Sequence, residues 1–385
     1  MNDELPDDPR SAVDELMEQA YEFEHGSTQI ALIEEAVRMA DLADDPDLAF
    51  GIRQELIDAS TMGGRPDLAL VAFTWCLAQF DKNPQDYDAH GILWKYKWIL
   101  ASLAEFPQLT REQIDAAASD MEQRTVNEGY TRHAVETMRW KLAMDFGDHD
   151  EMQRIYERTR KIRRDALSDC KACVQNCTVE HYMLLGKPKL ALRSAEPILS
   201  GRMGCSEIPE ITYGGVLRPL FQLDRLDEAM TTHLKGYRLV ARNPEFIDTV
   251  AEHLRFLVMT GNDGKALQLI SRHLPAALAN PSLLKRLRFF FATVQAFLAL
   301  EAKGQESVKL RLPPGSSFTR AEGVYPAGEL RQEFEDAARE LAMQFDERNG
   351  NSYYQNFLEK LRETPKQIKP FSAPARKRKP QENDE

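Results

Sequence analysis

Apolar residues recur along most of this chain at i, i+3, i+4 and i+7, the helical period, while alternating strand-like runs are scarce. Ile52, Leu56, Ile57 and Ala59 follow that period, and Ala69, Leu70, Phe73, Trp75, Cys76 and Leu77 follow it again. Between the two runs lie Met62, Gly63, Gly64, Arg65, Pro66 and Asp67. Glycine ends one helix and Pro66 starts the next, so the spacing predicts a helical hairpin. The punctuation recurs. Gly64 stands five residues before Ala69, Gly147 before Met152, Gly186 before Ala191, Asp224 before Ala229 and Gly261 before Ala266. The later anchors step by 39, 38 and 37 residues, and the gap of 83 from Ala69 to Met152 is close to two steps. That gap places a further unit from Asp86 to about Gly129, turning near Phe106 to Thr110. A period near 40 with one turn and one small residue per unit predicts stacked helical hairpins.

These residues resemble the tetratricopeptide-repeat family, which places Gly at the turn, Ala five residues on, a bulky residue four after that and often Pro after the second helix. Gly64, Ala69, Phe73, Cys76 and Pro84 are the most similar unit. Tyr182, Gly186 and Ala191 form another, Leu223, Ala229, Gly236 and Pro244 a third, and Gly261 with Ala266 a fourth. The resemblance spans roughly residues 46 to 281. It departs from the family in its longer repeats and in lacking the early Trp and Gly of most first helices. It implies an all-α, right-handed superhelical solenoid of about six antiparallel helix pairs. It also implies an adaptor or scaffold holding a partner peptide or helix in the concave groove.

The ends differ from the middle. Residues 1–10 read as an acidic, disordered start and 11–45 as a helical pair capping the solenoid of 46–302. In 303–328 the periodicity fails around Pro313 and Pro314, which predicts an irregular loop. Residues 329–363 read as a C-terminal helical cap, and 364–385, rich in Pro, Lys and Arg, as a disordered tail. Arg376 to Lys379 have the composition of a nuclear-import or nucleic-acid patch, against a solubilising tail as the plainer reading.

Composition narrows the function classes. The 385 residues are 43 % hydrophobic and 29 % charged, enough for a real core. No window carries 18 uncharged apolar residues, so a membrane span is excluded. The start is acidic where a signal peptide is basic and then apolar, so a cytoplasmic protein is expected. The net charge of −12 disfavours a general nucleic-acid coat. Five cysteines, an odd number, argue against a disulfide framework. Phosphate loops, nucleophile turns and zinc-protease helices are missing, and no catalytic residue is assigned.

Four groups remain as candidates. Cys170, Cys173 and Cys177 are followed by His181 and, 35 residues after Cys170, by Cys205. That distance is nearly one repeat, so Cys205 is expected beside the start of the Cys170 helix. Cys170, Cys173 and Cys205 would then meet as ligands for a structural zinc, completed by Cys177, a His or water. Reach opposes Cys177, which lies about 10 Å further along the helix axis. The competing reading takes positions 170, 173, 177 and 181 as one helix face buried in packing. A zinc- or redox-responsive regulator is therefore the alternative to an adaptor. Trp94 and Trp98 share a helix face at i and i+4 and suit a peptide-binding wall or inter-repeat packing. Arg154, Arg158 and Lys161 belong to a basic run ending at Arg164, expected on a second helix and able to meet an acidic segment. His233, His253 and His273, spaced by 20, read as structural. A third class, an enzyme subunit, would use residues 313–328 as a lid.

Overall fold

A computed structural model describes residues 8–312 and 323–372. Helices dominate, and they come in antiparallel pairs. α1 (Pro9–Tyr21) packs on α2 (Ser27–Leu42), α3 (Pro46–Met62) on α4 (Pro66–Lys82), and α5 (Ala89–Ser102) on α6 (Arg111–Asn127). α7 (His133–Asp145) pairs with α8 (His149–Thr159) and α9 (Lys171–Leu184) with α10 (Pro188–Leu199). The next first helix is broken into α11 (Glu210–Gly215) and α12 (Leu217–Gln222), followed by α13 (Leu226–Val240). α14 (Ile247–Met259) pairs with α15 (Asp263–Ala279), and α16 (Leu283–Ala302) with α17 (Ala327–Asn349). α18 (Tyr353–Lys360) and α19 (Thr364–Gln367) follow. The fold is an all-α solenoid, with six pairs from α3 to α15 as the punctuation predicts.

Local chemistry explains the pairs. Asp45 caps α3 through the Leu48 N–H at 3.0 Å, and Pro46, Pro66 and Pro188 open helices where no N–H is needed. Gly64, Gly147, Gly186, Asp224 and Gly261, read from sequence as turn residues, all carry positive φ. The small or unbranched residue five positions later is buried in every case: Ala69, Met152, Ala191, Ala229 and Ala266. The unit hidden in the 83-residue gap turns instead through a 3₁₀ segment, Leu103–Glu105. Thr110 and Gln113 then start α6 with a capping box.

Three parts of the sequence reading need correction. Residues 303–328 are not wholly irregular: β1 (Ser307–Lys309) pairs antiparallel with β2 (Val324–Pro326), and α17 already begins at Ala327. Val308, Leu310 and Tyr325 are buried, so the alternation there was a strand signal. Residues 313–322 lie outside the described residues, and with them most of the lid expectation. The chain also stays ordered past 363. Lys369 and Phe371 donate backbone hydrogen bonds to the carbonyls of Met259 (2.9 Å) and Thr260 (3.0 Å). Residues 1–7 and 373–385, including the basic patch, lie outside the described residues.

The third correction concerns the concave side, which is not an open groove. The Asn243 amide donates to the Met62 carbonyl at 2.9 Å, and a Cβ on Gly64 would stand 2.9 Å from the Glu245 nitrogen. Arg348 donates to the carbonyls of Ala104 (3.0 Å) and Phe106 (3.3 Å), Asn351 to Phe146 (2.7 Å) and the Tyr354 hydroxyl to Asp145 (2.5 Å). Gly147, at φ 71°, lets the Tyr353 ring sit where any Cβ would collide. The array thus curls until early and late pairs touch, with α18 across the inside. A half-open cavity of about 430 Å³ remains inside.

The apolar interior is uneven. One large core runs from Val13 to Leu167 and another from Val240 to Leu361. Between them the cores are small, and the smallest contains only Ala172, Ile198 and Ile208 as fully buried members. The structural reading of the histidines fits. His233 and His253 share an Nδ1–Nδ1 hydrogen bond of 3.1 Å, and Tyr237 bonds His273 at 2.9 Å. Burial lowers His181, His233 and His273 to about 4. Their contribution to stability is therefore lost as pH falls from about 6.5 through 4. Imidazole NMR signals of these three residues are expected to stay flat between about pH 8 and 5; titration near 6.5 would contradict their burial as neutral rings.

Candidate thiol centre

The thin junction between the two large cores is where the cysteines meet. Cys170 is the N-cap of α9, one residue before the helix, rather than a member of its face. Its Sγ accepts the Cys173 N–H at 3.2 Å. The Cys173 Sγ, on the first turn, lies 3.2 Å from that of Cys170 and 3.3 Å from that of Cys205. Cys205 arrives from the turn after α10, closed by its N–H donating to the Ile208 carbonyl at 2.9 Å. All three sulfurs fall within 4.8 Å of one another. Among the described residues no other group of three Cys, His, Asp or Glu donors does so.

The surroundings favour thiolate at Cys205. A hydrogen bond from Cys173, opposed by burial and joined by the N–H groups of Glu207 and Ile208, lowers the Cys205 pKa. The hydrogen bond to Cys205, together with burial, raises that of Cys173. Cys205 therefore ionises before Cys173. Lys97 and Lys141 each stand 3.0 Å from Asp169, the residue before Cys170. Burial would raise Asp169, but Lys141 and Lys97 hold it down to about 2. Two buried cations on one carboxylate leave a net positive charge beside the sulfurs, which steadies thiolate.

The arrangement fits one tetrahedral ion. Zinc–sulfur bonds of about 2.3 Å set sulfurs about 3.8 Å apart, so opening the triangle by tenths of an ångström completes it. The N–H donors to Cys170 and Cys205 are the outer contacts that orient ligating sulfur. Cys177 takes no part: it packs with Trp140 and Met152, and burial raises it to about 12. His181 is engaged by Trp140, whose indole N–H reaches its Nδ1 at 3.3 Å.

The other predicted site residues do not assemble. Trp98 lines the inner cavity, whereas the Trp94 ring lies under the Lys97 ammonium, 3.2 Å from its centroid. The basic run is not one helix, because α8 ends at Thr159, Arg160 is its cap and Lys161 to Arg164 lie beyond. Arg154 pairs with Glu151 and Arg158 with Glu136. Lys161 is exposed. Lys97 is the functional neighbour that sequence reasoning missed. Only its place three residues after Trp94 in an apolar helix signalled a buried cation.

No family model matches the chain, and no curated protein matches it. Among solved structures, the tetratricopeptide-repeat domain of P58(IPK) aligns over 92 % of this chain and 98 % of that one at 12 % identity, with a TM-score of 0.24. A score that low carries no argument, and the fold stands on the helix pairs described above. Among the described residues no helix is long and apolar enough to cross a membrane.

Proposed function

We propose that this chain is a tetratricopeptide-like interaction scaffold, without a reaction of its own, whose central junction is held by one Zn²⁺ on Cys170, Cys173 and Cys205. The observation that carries the reading is the convergence of three thiols, from the start of α9 and the turn after α10, at the point where the apolar core is thinnest. A metal bridge there would tie the start of α9 to the turn after α10. The scaffold half of the reading rests on architecture. Stacked pairs expose their second helices as a continuous outer surface. Exposed Arg154 and Lys161 on the α8 side would meet an acidic protein segment there, and a reducing cytoplasm suits free thiols.

Cobalt(II) reports the centre directly. The reduced full chain is expected to bind one Co²⁺ and show a near-ultraviolet thiolate-to-cobalt absorption. Cys205→Ser should weaken both, while Cys76→Ser, remote in the first core, leaves both unchanged. The exposure of Cys205 and its lowered pKa favour a redox reading as the second choice. Failure to bind cobalt, with a chain two hydrogens lighter after mild oxidation, would select a Cys173–Cys205 disulfide instead. A chain that takes neither metal nor disulfide would leave the thiols as packing and end the proposal.

A further inference from the structure

The inner cavity is a second site, which shares Cys173 on its wall with the thiol centre. The first helices of the pairs and α18 enclose its 430 Å³, within the range of small-molecule pockets. Seven acidic and five basic side chains stand on its wall, so the balance is acidic. Most of them are matched. Lys285 pairs with Glu245, Arg288 with Asp145 and Asp248, Arg255 with Glu252, and Lys141 with Asp169 behind the wall.

Three carboxylates are left over. Glu180 and Glu207 make no hydrogen bond or ion pair through their side chains among the described residues. The Oε2 atom of Glu105 is buried with no hydrogen-bond partner. On the basic side only Arg218 is left without an ion-pair partner among the described residues. It offsets one carboxylate and leaves two. Enclosure by the wall raises Glu180 to about 7, although its side chain still meets the cavity's water, and lifts Glu105 as well.

A metal ion does not meet this need, because no three of these carboxylates bring oxygen atoms within 4.8 Å of one another. Two carboxylates on different elements, one on α9 and one in the turn before α11, instead suit two cationic ends joined by an apolar stem. Trp98, Phe291 and Phe357 supply the apolar wall for that stem. We propose that the cavity binds an aliphatic diamine, its ammonium groups held by Glu180 and Glu207 and its methylenes by the aromatic wall.

Calorimetric titration of the full chain with 1,4-diaminobutane tests this. One molecule should bind per chain, and butylamine more weakly. Glu180 is largely protonated at pH 6 and largely ionised at pH 8, so affinity should rise about tenfold between them. The bound diamine should also displace protons near pH 7, seen as heats that depend on the buffer. Glu180→Gln should lose about tenfold in affinity while its melting temperature holds or rises, since it removes an uncompensated carboxylate. Glu207→Gln provides the same test from another helix. Absence of saturable heat at pH 8 would overturn the proposal, as would equal affinity for butylamine or undiminished binding by both variants.

Discussion

Replacing Lys285 by Met is expected to destabilise the chain by about 3–5 kcal/mol, the range for leaving buried charge without its partner. Lys285 is 10 % exposed and its ammonium donates to the Glu245 carboxylate and, at 3.2 Å, to the Glu245 carbonyl. Glu105 lies within its field, and Glu207 feels it too. One cation thus pairs with Glu245 and reaches two further carboxyls through its field alone. It also ties α16 to residue 245, the segment that touches Gly64 across the closure of the array. Methionine keeps the stem and removes the charge. The sign with pH follows from the acids. Burial raises Glu105, Glu207 and Glu245, so the folded state holds protons that the unfolded state has released above about pH 4.5. Removing the ammonium raises them further. The loss relative to the unaltered chain should therefore be smallest near pH 5 and grow towards pH 9. Urea unfolding across that range measures it. A loss under about 1 kcal/mol, or one independent of pH, would mean that Lys285 does not hold the closure.

Cys173→Ser is expected to abolish stabilisation by zinc. Cys173 is the middle thiol, within 3.3 Å of both others, so no two-sulfur remnant keeps the geometry. At free zinc a hundredfold above its dissociation constant, the unaltered chain should gain about 2.7 kcal/mol. The variant should gain none. The effect should also be local. Chelation should speed backbone hydrogen exchange at Ala172, Ile198 and Ile208, the small core beside the thiols, and spare Phe289 to Phe297 in the second large core. Uniform change in both regions would place zinc outside the junction.

Repeat structure was legible because each turn needs a left-handed residue and each close helix contact a small one. Gly64 with Ala69 and Gly261 with Ala266 write both needs five residues apart. The meeting of Cys205 with Cys170 was legible for the same reason, since 35 residues is nearly one repeat. Closure was not. It depends on contacts such as Asn243 with Met62 and Arg348 with Phe106, which no period announces. Wall charges were equally hidden, because Glu180 and Glu207 differ from other acids only in what surrounds them. The basic run misled because nothing after Thr159 breaks a helix in sequence, while Asp165 turns the chain by accepting N–H bonds from Thr131 and Leu167.

Native mass spectrometry of the reduced full chain, loaded with zinc under anaerobic conditions, tests the central claim most directly. The thiol junction predicts one zinc per chain, accompanied by loss of thiol protons, and none in Cys173→Ser. A metal-free chain under those conditions, or a variant that keeps its zinc, would contradict it.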